Sequence, residues 1–165
     1  MNMYRVKQFF LYIFDNKMKK EDYIYLCRYL NKIEIDMFKR LSVKDQKHSI
    51  RVAISMEKIC ANYKDINKDR LIKISLLHDI GKVNCKLSII DKCALVFLDS
   101  ITKGGIAKYS NIKKIYIYYN HGEEGYNILK NMEYDKEFLN TIRNHHNRNI
   151  INEELNILRQ CDEIN

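Results

Sequence analysis

Read for its apolar positions, the chain is a succession of helices. Val6, Phe10, Ile13 and Phe14 recur at helical spacing over residues 4–14. Tyr23, Leu26, Cys27 and Leu30 follow, and then Ile33, Met37, Phe38 and Leu41. Ser42-Val43-Lys44-Asp45 has the form of a capping box with Asp in place of Glu, so a helix is predicted to begin there. His48, Val52, Met56, Ile59 and Tyr63 share one of its faces. A helix from Asn67 carries Leu71, Ile74 or Ser75, and His78 together, flanked by Ile72 and Leu76. Gly81 is placed to end it, as a left-handed residue just past the last turn. Leu87, Ile90, Ala94, Phe97 and Ile101 form the next apolar stripe, and Lys103-Gly104-Gly105 reads as a turn. Ile112, Ile115, Tyr116 and Tyr119 read as a short helix, although tyrosine and isoleucine also suit a strand. Asn120 is predicted to cap a further helix, with His121, Glu123 and Glu124 near its positive end and Gly125 relieving bulk one turn on. Phe138, Ile142 and His145 share a face of the following helix, with His146 beside them. The last helix runs Ile151, Leu155, Leu158, Asp162.

Composition fits this all-α reading. The 165 residues include no proline and only five glycines, so helix breakers are scarce. Hydrophobic residues make up 46% and charged residues 30%, a globular balance with enough apolar side chain for one core. The expectation is a single globular unit in which the helices of residues 1–42 pack on a core formed by residues 43–165. Against 21 acidic side chains stand 29 lysines and arginines, a formal charge of +8 that favours anionic partners such as phosphates and nucleotides. The same crowding of Lys, Ile, Asn and Tyr would also follow from AT-rich coding alone. No helix-turn-helix or other reading motif is recognisable, which argues against nucleic acid as the partner. Five cysteines (Cys27, Cys60, Cys85, Cys93, Cys161) make an odd number with no C-x-x-C pair, so reduced thiols are expected. The apolar run Phe9 to Phe14 is too short to span a bilayer and leads to no small-residue cleavage site. A cytoplasmic protein without membrane attachment is expected; an oligomer stays open.

The candidate chemistry centres on Leu76-Leu77-His78-Asp79-Ile80-Gly81-Lys82. His48, His78, His121, His145 and Asp162 each continue the apolar face of their own helix toward the interior. An inward carboxylate left unpaired would cost several kcal/mol, on the order of the whole stability margin. Divalent ions meet that demand, and imidazole with carboxylate suits Fe, Mn, Co, Ni or Zn better than Mg or Ca.

These residues resemble the HD superfamily of metal-dependent phosphohydrolases over about residues 44 to 165. The match rests on His48, the His78-Asp79 pair, His121, the His145-His146 pair and Asp162, and it uses all five histidines. The resemblance implies an HD-domain helical bundle around a metal centre, with an N-terminal helical extension. It implies that His48, His78, Asp79 and Asp162 hold one ion and that Asp79 bridges to a second, completed by His121 and His145. Two divalent transition-metal ions, iron or manganese first and zinc, nickel or cobalt next, would share a hydroxide as nucleophile. Asp79 and Lys82 are then the catalytic candidates. Lys82, Arg51 and His146 are the candidates for holding substrate, and which of His145 and His146 ligates stays open.

The chain departs from the better-known subfamilies. No Gly-Tyr-Pro element follows His145-His146, where Asn147-Arg148-Asn149-Ile150 stands instead, and the acid that supports a third metal in some relatives is Lys44 here. Two metals are therefore expected, in a small stand-alone HDIG-type protein. The expected activity is phosphohydrolase or phosphodiesterase on a nucleotide. The competing readings are a single-metal enzyme using only His48, His78, Asp79 and Asp162, and a catalytically weak module that binds a nucleotide or a protein partner.

Overall fold

The computed structural model describes residues 17–63 and 66–165. The helix expected over residues 4–14 lies outside them. Among the described residues the architecture is helical: α1 (Lys20–Tyr29), α2 (Lys32–Phe38), α3 (Val43–Cys60), α4 (Lys68–Leu77), α5 (Ile89–Thr102), α6 (Lys113–Leu129), α7 (Lys136–Asn144) and α8 (Glu153–Glu163). Two short 3₁₀ helices, Ile80–Asn84 and Gly105–Tyr109, join the pieces.

Most of these helices start where a side chain can satisfy a free backbone donor. Ser42 accepts from the Asp45 N–H to open α3, Asn67 from Arg70 to open α4, Asp135 from Phe138 to open α7, and Asn152 from Leu155 to open α8. Ser88 opens α5 with a full capping box through Asp91. Lys103 and Gly104 then end α5 in left-handed conformation, so Lys103-Gly104-Gly105 is the turn expected.

The main core gathers Leu26, Phe38, Leu41, Val52, Met56, Leu71, Leu76, Ile80, Ile142 and Leu158, so α1 and α2 share one hydrophobic cluster with the later helices. An ionic hook reinforces that docking. Buried Glu34 of α2 accepts from Lys73 of α4 at 2.9 Å and from the Tyr134 hydroxyl, and its own α2 capping box uses the other oxygen. Lys47 of α3 likewise reaches Asp22 of α1 at 2.9 Å. A smaller cluster of Leu87, Leu95, Ile106 and Ile117 holds α5 on the side of the bundle.

The structure departs from the sequence reading at four places. Gly81 does not end a helix in left-handed conformation, because Gly104 is the glycine with positive φ among the described residues. Instead α4 stops at Leu77 and the 3₁₀ helix follows, pressed onto α6; a Cβ on Gly81 would meet the His121 carbonyl oxygen at 1.9 Å. Asn120 is not a cap. The stretch from Lys113 to Leu129 is one helix, and the Asn120 amide donates to the Tyr116 carbonyl within it. Ile151 precedes α8 and is open to solvent. The Ile90, Ala94, Phe97, Ile101 stripe faces outward, while Leu95 on the opposite side packs inward.

Candidate metal centre

Four helix ends and one helix middle bring the histidines and acids to one point. α3 supplies His48 from its second turn. α4 ends on His78, with Asp79 the residue that follows. α6 supplies His121 from mid-helix, α7 ends on His145 with His146 next, and α8 supplies Asp162 from its last turn. His78, Asp79, His121 and His145 are buried, His48 and Asp162 half-buried, and His146 lies at the rim.

The Asp79 carboxylate divides this set in two. Its Oδ2 is 3.6 Å from His78 Nε2 and 3.9 Å from His48 Nε2. Its Oδ1 is 3.3 Å from His121 Nε2 and 3.9 Å from His145 Nε2. Asp162 Oδ1 completes the first group, 2.9 Å from His48 Nε2 and 3.7 Å from His78 Nε2. In the second, His121 Nε2 is 3.2 Å from His145 Nε2 and 2.9 Å from His146 Nε2. Donor atoms of Asp79, His121, His145 and His146 therefore converge, as do those of His48, His78 and Asp162.

The ring orientations are set by the backbone. Nδ1 of His78 donates to the Ser75 carbonyl at 2.8 Å, that of His121 to Ile117 at 3.1 Å, and that of His145 to Ile142 at 2.7 Å. With the proton on Nδ1, each Nε2 presents a lone pair inward, the tautomer a metal ligand requires. These carbonyls sit three or four residues before each histidine. That spacing could have named them from sequence, but only with the helix ends known. Arg159 also escaped the sequence reading. It donates to the carbonyls of Asn144, His145, Asn147 and Ile150, closing the end of α7 and the turn that carries His145-His146.

Electrostatics fit a cation. Burial alone would raise the Asp79 carboxyl, but the Lys82 ammonium, His78 and His121 outweigh it and hold it well below the usual carboxylate range. Asp162 behaves the same way: burial raises it, and the hydrogen bond and charge of His48 more than reverse that. Burial lowers His78 and lowers His145 strongly, helped at His145 by the neighbouring imidazoles. Burial first and His121 second bring His146 down to about 4. Two atoms facing this space, His78 Nε2 and Asp79 Oδ1, have no hydrogen-bond partner among the described residues. A buried imidazole lone pair and a buried carboxylate oxygen left so are costly in a protein interior, and a divalent ion could satisfy both.

Of the remaining candidates, Lys82 places Nζ 2.5 Å from Asp79 Oδ2. Arg51 is half-buried on α3, one turn beyond His48. Nearby, buried Asp45 accepts from Lys92 of α5 at 2.6 Å and from the Ser42 hydroxyl. A groove of about 470 Å³ opens between the starts of α3 and α5, lined by Ser42, Lys44, Lys86 and Ile89 among others. Lys44 shares a helix face with His48, roughly 6 Å along the axis.

Residues 46–165 match the HD domain family. The chain belongs to that family. No curated protein and no solved structure gave a match to this HD-domain chain. HD domains bind divalent metal ions and are commonly metal-dependent phosphohydrolases. Among the described residues, no helix is long and apolar enough to cross a membrane.

Proposed function

We propose that this HD-domain protein is a metal-dependent phosphohydrolase or phosphodiesterase acting on a nucleotide. One observation carries the reading: the two oxygens of buried Asp79 face two separate groups of histidines. On it, His48, His78, Asp79 and Asp162 would hold one ion, and Asp79, His121 and His145 a second, with His146 adjoining. Divalent transition metals, iron or manganese first, suit such donors, and when bound supply positive charge against phosphoryl oxygens and lower the pKa of water.

The chain's own groups do the rest. The carbonyls of Ser75, Ile117 and Ile142 hold three imidazoles with Nε2 aimed at the centre. Lys82 is open enough beside Asp79 to turn its ammonium onto a phosphate oxygen. Arg51 offers a second cation from the next turn of α3, and the exposed edge of His146 faces the substrate side.

The test is metal content per chain on protein purified without air or chelators, followed by hydrolysis of nucleotide phosphodiesters. About two ions per chain and turnover are expected, both falling sharply in Asp79→Asn. One ion that is unchanged in His121→Ala would replace the two-ion site by a single-ion one. Failure to retain any ion after reconstitution would sink the enzyme reading and leave a binding module.

A further inference from the structure

We infer that the outward face of α5 is a self-association surface, on which a second copy of this chain packs antiparallel about a two-fold axis. The inference is independent of the reaction proposed above.

The face is defined by helical geometry. At about 100° per residue, Ile90, Ala94, Phe97 and Ile101 fall within a narrow stripe, with Lys92 and Asp99 directly opposite and Leu95 beside them. Leu95 is the buried residue of α5, and Lys92 ties the helix to Asp45 of α3. The opposite stripe is open: Ile90 is 77% exposed, Phe97 64% and Ile101 60%, with Ala94 exposed between them. Leu98 flanks it, also exposed, whereas exposed Val96 lies on the other half of the helix. An apolar face on an anchored helix, near the upper end of what a monomer exposes, often marks an interaction site.

The order of side chains selects the occupant. The stripe reads Ile, Ala, Phe, Ile at spacings of four, three and four, the seam of a helix pair. Its centre lies midway between Ala94 and Phe97. About a two-fold axis through that point, Ile90 meets Ile101 of the other copy, and Ala94 meets Phe97 twice. Large side chains thus face small ones in the middle, and equal ones meet at the ends, which is the self-complementarity a two-fold interface demands. Antiparallel pairing also opposes the two helix dipoles. The exposed apolar side chains on and beside the stripe, without Val96, amount to on the order of 500 Å² per chain, hence at most about 1,000 Å² between two copies, the size at which a specific interface begins.

The experiment is light scattering and sedimentation of the full chain across roughly 1–200 μM, with far-UV circular dichroism and metal content as controls. The wild-type protein should approach twice 19.8 kDa, and Phe97→Asp should stay at 19.8 kDa with unchanged helicity and metal. Ala94→Phe is the more discriminating variant. It makes the face more apolar, yet it should weaken pairing at least tenfold, because two phenylalanines then meet at the centre. A wild-type monomer throughout that range would overturn the inference and leave the face for a different partner. A dimer that survives Phe97→Asp would overturn it as well, placing the contact elsewhere. Stronger association in Ala94→Phe would reduce the face to a non-specific apolar patch.

Discussion

Arg159 is the residue whose importance exceeds its position. A single guanidinium donates to four backbone carbonyls around the end of α7, at 2.6 to 3.2 Å. Those carbonyls belong to the turn that aims His145 and His146, so the arginine positions two candidate ligands through their backbone. Arg159→Ala should lower the free energy of unfolding by about 2 kcal/mol, the worth of charge-assisted hydrogen bonds lost together. Metal retention should fall in parallel. Lysine should not restore it, because one ammonium lacks the planar fork that spans several acceptors. The check is a denaturant midpoint alongside metal per chain. Unchanged values in both would show that the turn orders itself. At this scale the convergence of the candidate residues was legible in sequence, because His48, His78, His121 and His145 each lie on an apolar stripe. Arg159 was not, because nothing in a helical period marks a side chain that reaches back to another helix's carbonyls.

At the scale of elements, the centre depends on how closely the 3₁₀ helix Ile80–Asn84 approaches α6. Gly81 and Gly125 make that approach possible: the Gly81 position faces the His121 carbonyl, and a Cβ at Gly125 would touch Ile142 at 3.0 Å and Gly81 N at 3.5 Å. Gly122 does the same against α7, where a Cβ would meet the Arg143 carbonyl oxygen at 2.5 Å. Gly81→Ala therefore pushes backbone against backbone, which cannot yield as a flexible side chain would. A loss of about 3 kcal/mol is expected, at the upper end of overpacking costs, together with loss of metal as Asp79 and His121 separate. Gly104→Ala is the contrast. It has open space around it but φ of +84°, so it should cost about 1 kcal/mol and leave metal content intact. Thermal melts with metal analysis separate the two; equal metal loss in both variants would refute the packing account. The Gly81 reading from sequence failed for a physical reason. A glycine after a helix serves a left-handed turn or a close contact equally well, and only the neighbouring helix decides which.

For the whole molecule, the cluster of buried imidazoles sets the acid limit of the metal-free protein. His78 and His145 lie below their ordinary 6.5 in the folded chain, chiefly because burial disfavours the charged ring. The unfolded chain then takes up protons first as the pH drops through about 6.5, so folding stability declines from there downward. Asp79 and Asp162, held below the usual carboxylate range, add a second decline only as the pH falls through about 4. The midpoint of thermal unfolding in chelator should therefore be level above about pH 7 and fall between pH 6.5 and 5. A midpoint that rises over that interval would contradict the buried neutral histidines. Bound metal should raise the curve throughout, since it ties up folded-state ligands alone.

What the amino-acid sequence determined by itself is the helical class, the starts of α3 and α4, and the inward turn of His78, His121 and His145. All three follow from local rules of periodicity, capping and the cost of burying charge. The tertiary structure alone decided the rest. It divided Asp79 between two groups of histidines and merged the tyrosine-rich segment with the His121 helix into one α6. It turned the most apolar face of α5 outward. Each of these is a relation between segments distant in sequence, and local periodicity fixes a helix's faces without saying what each face meets.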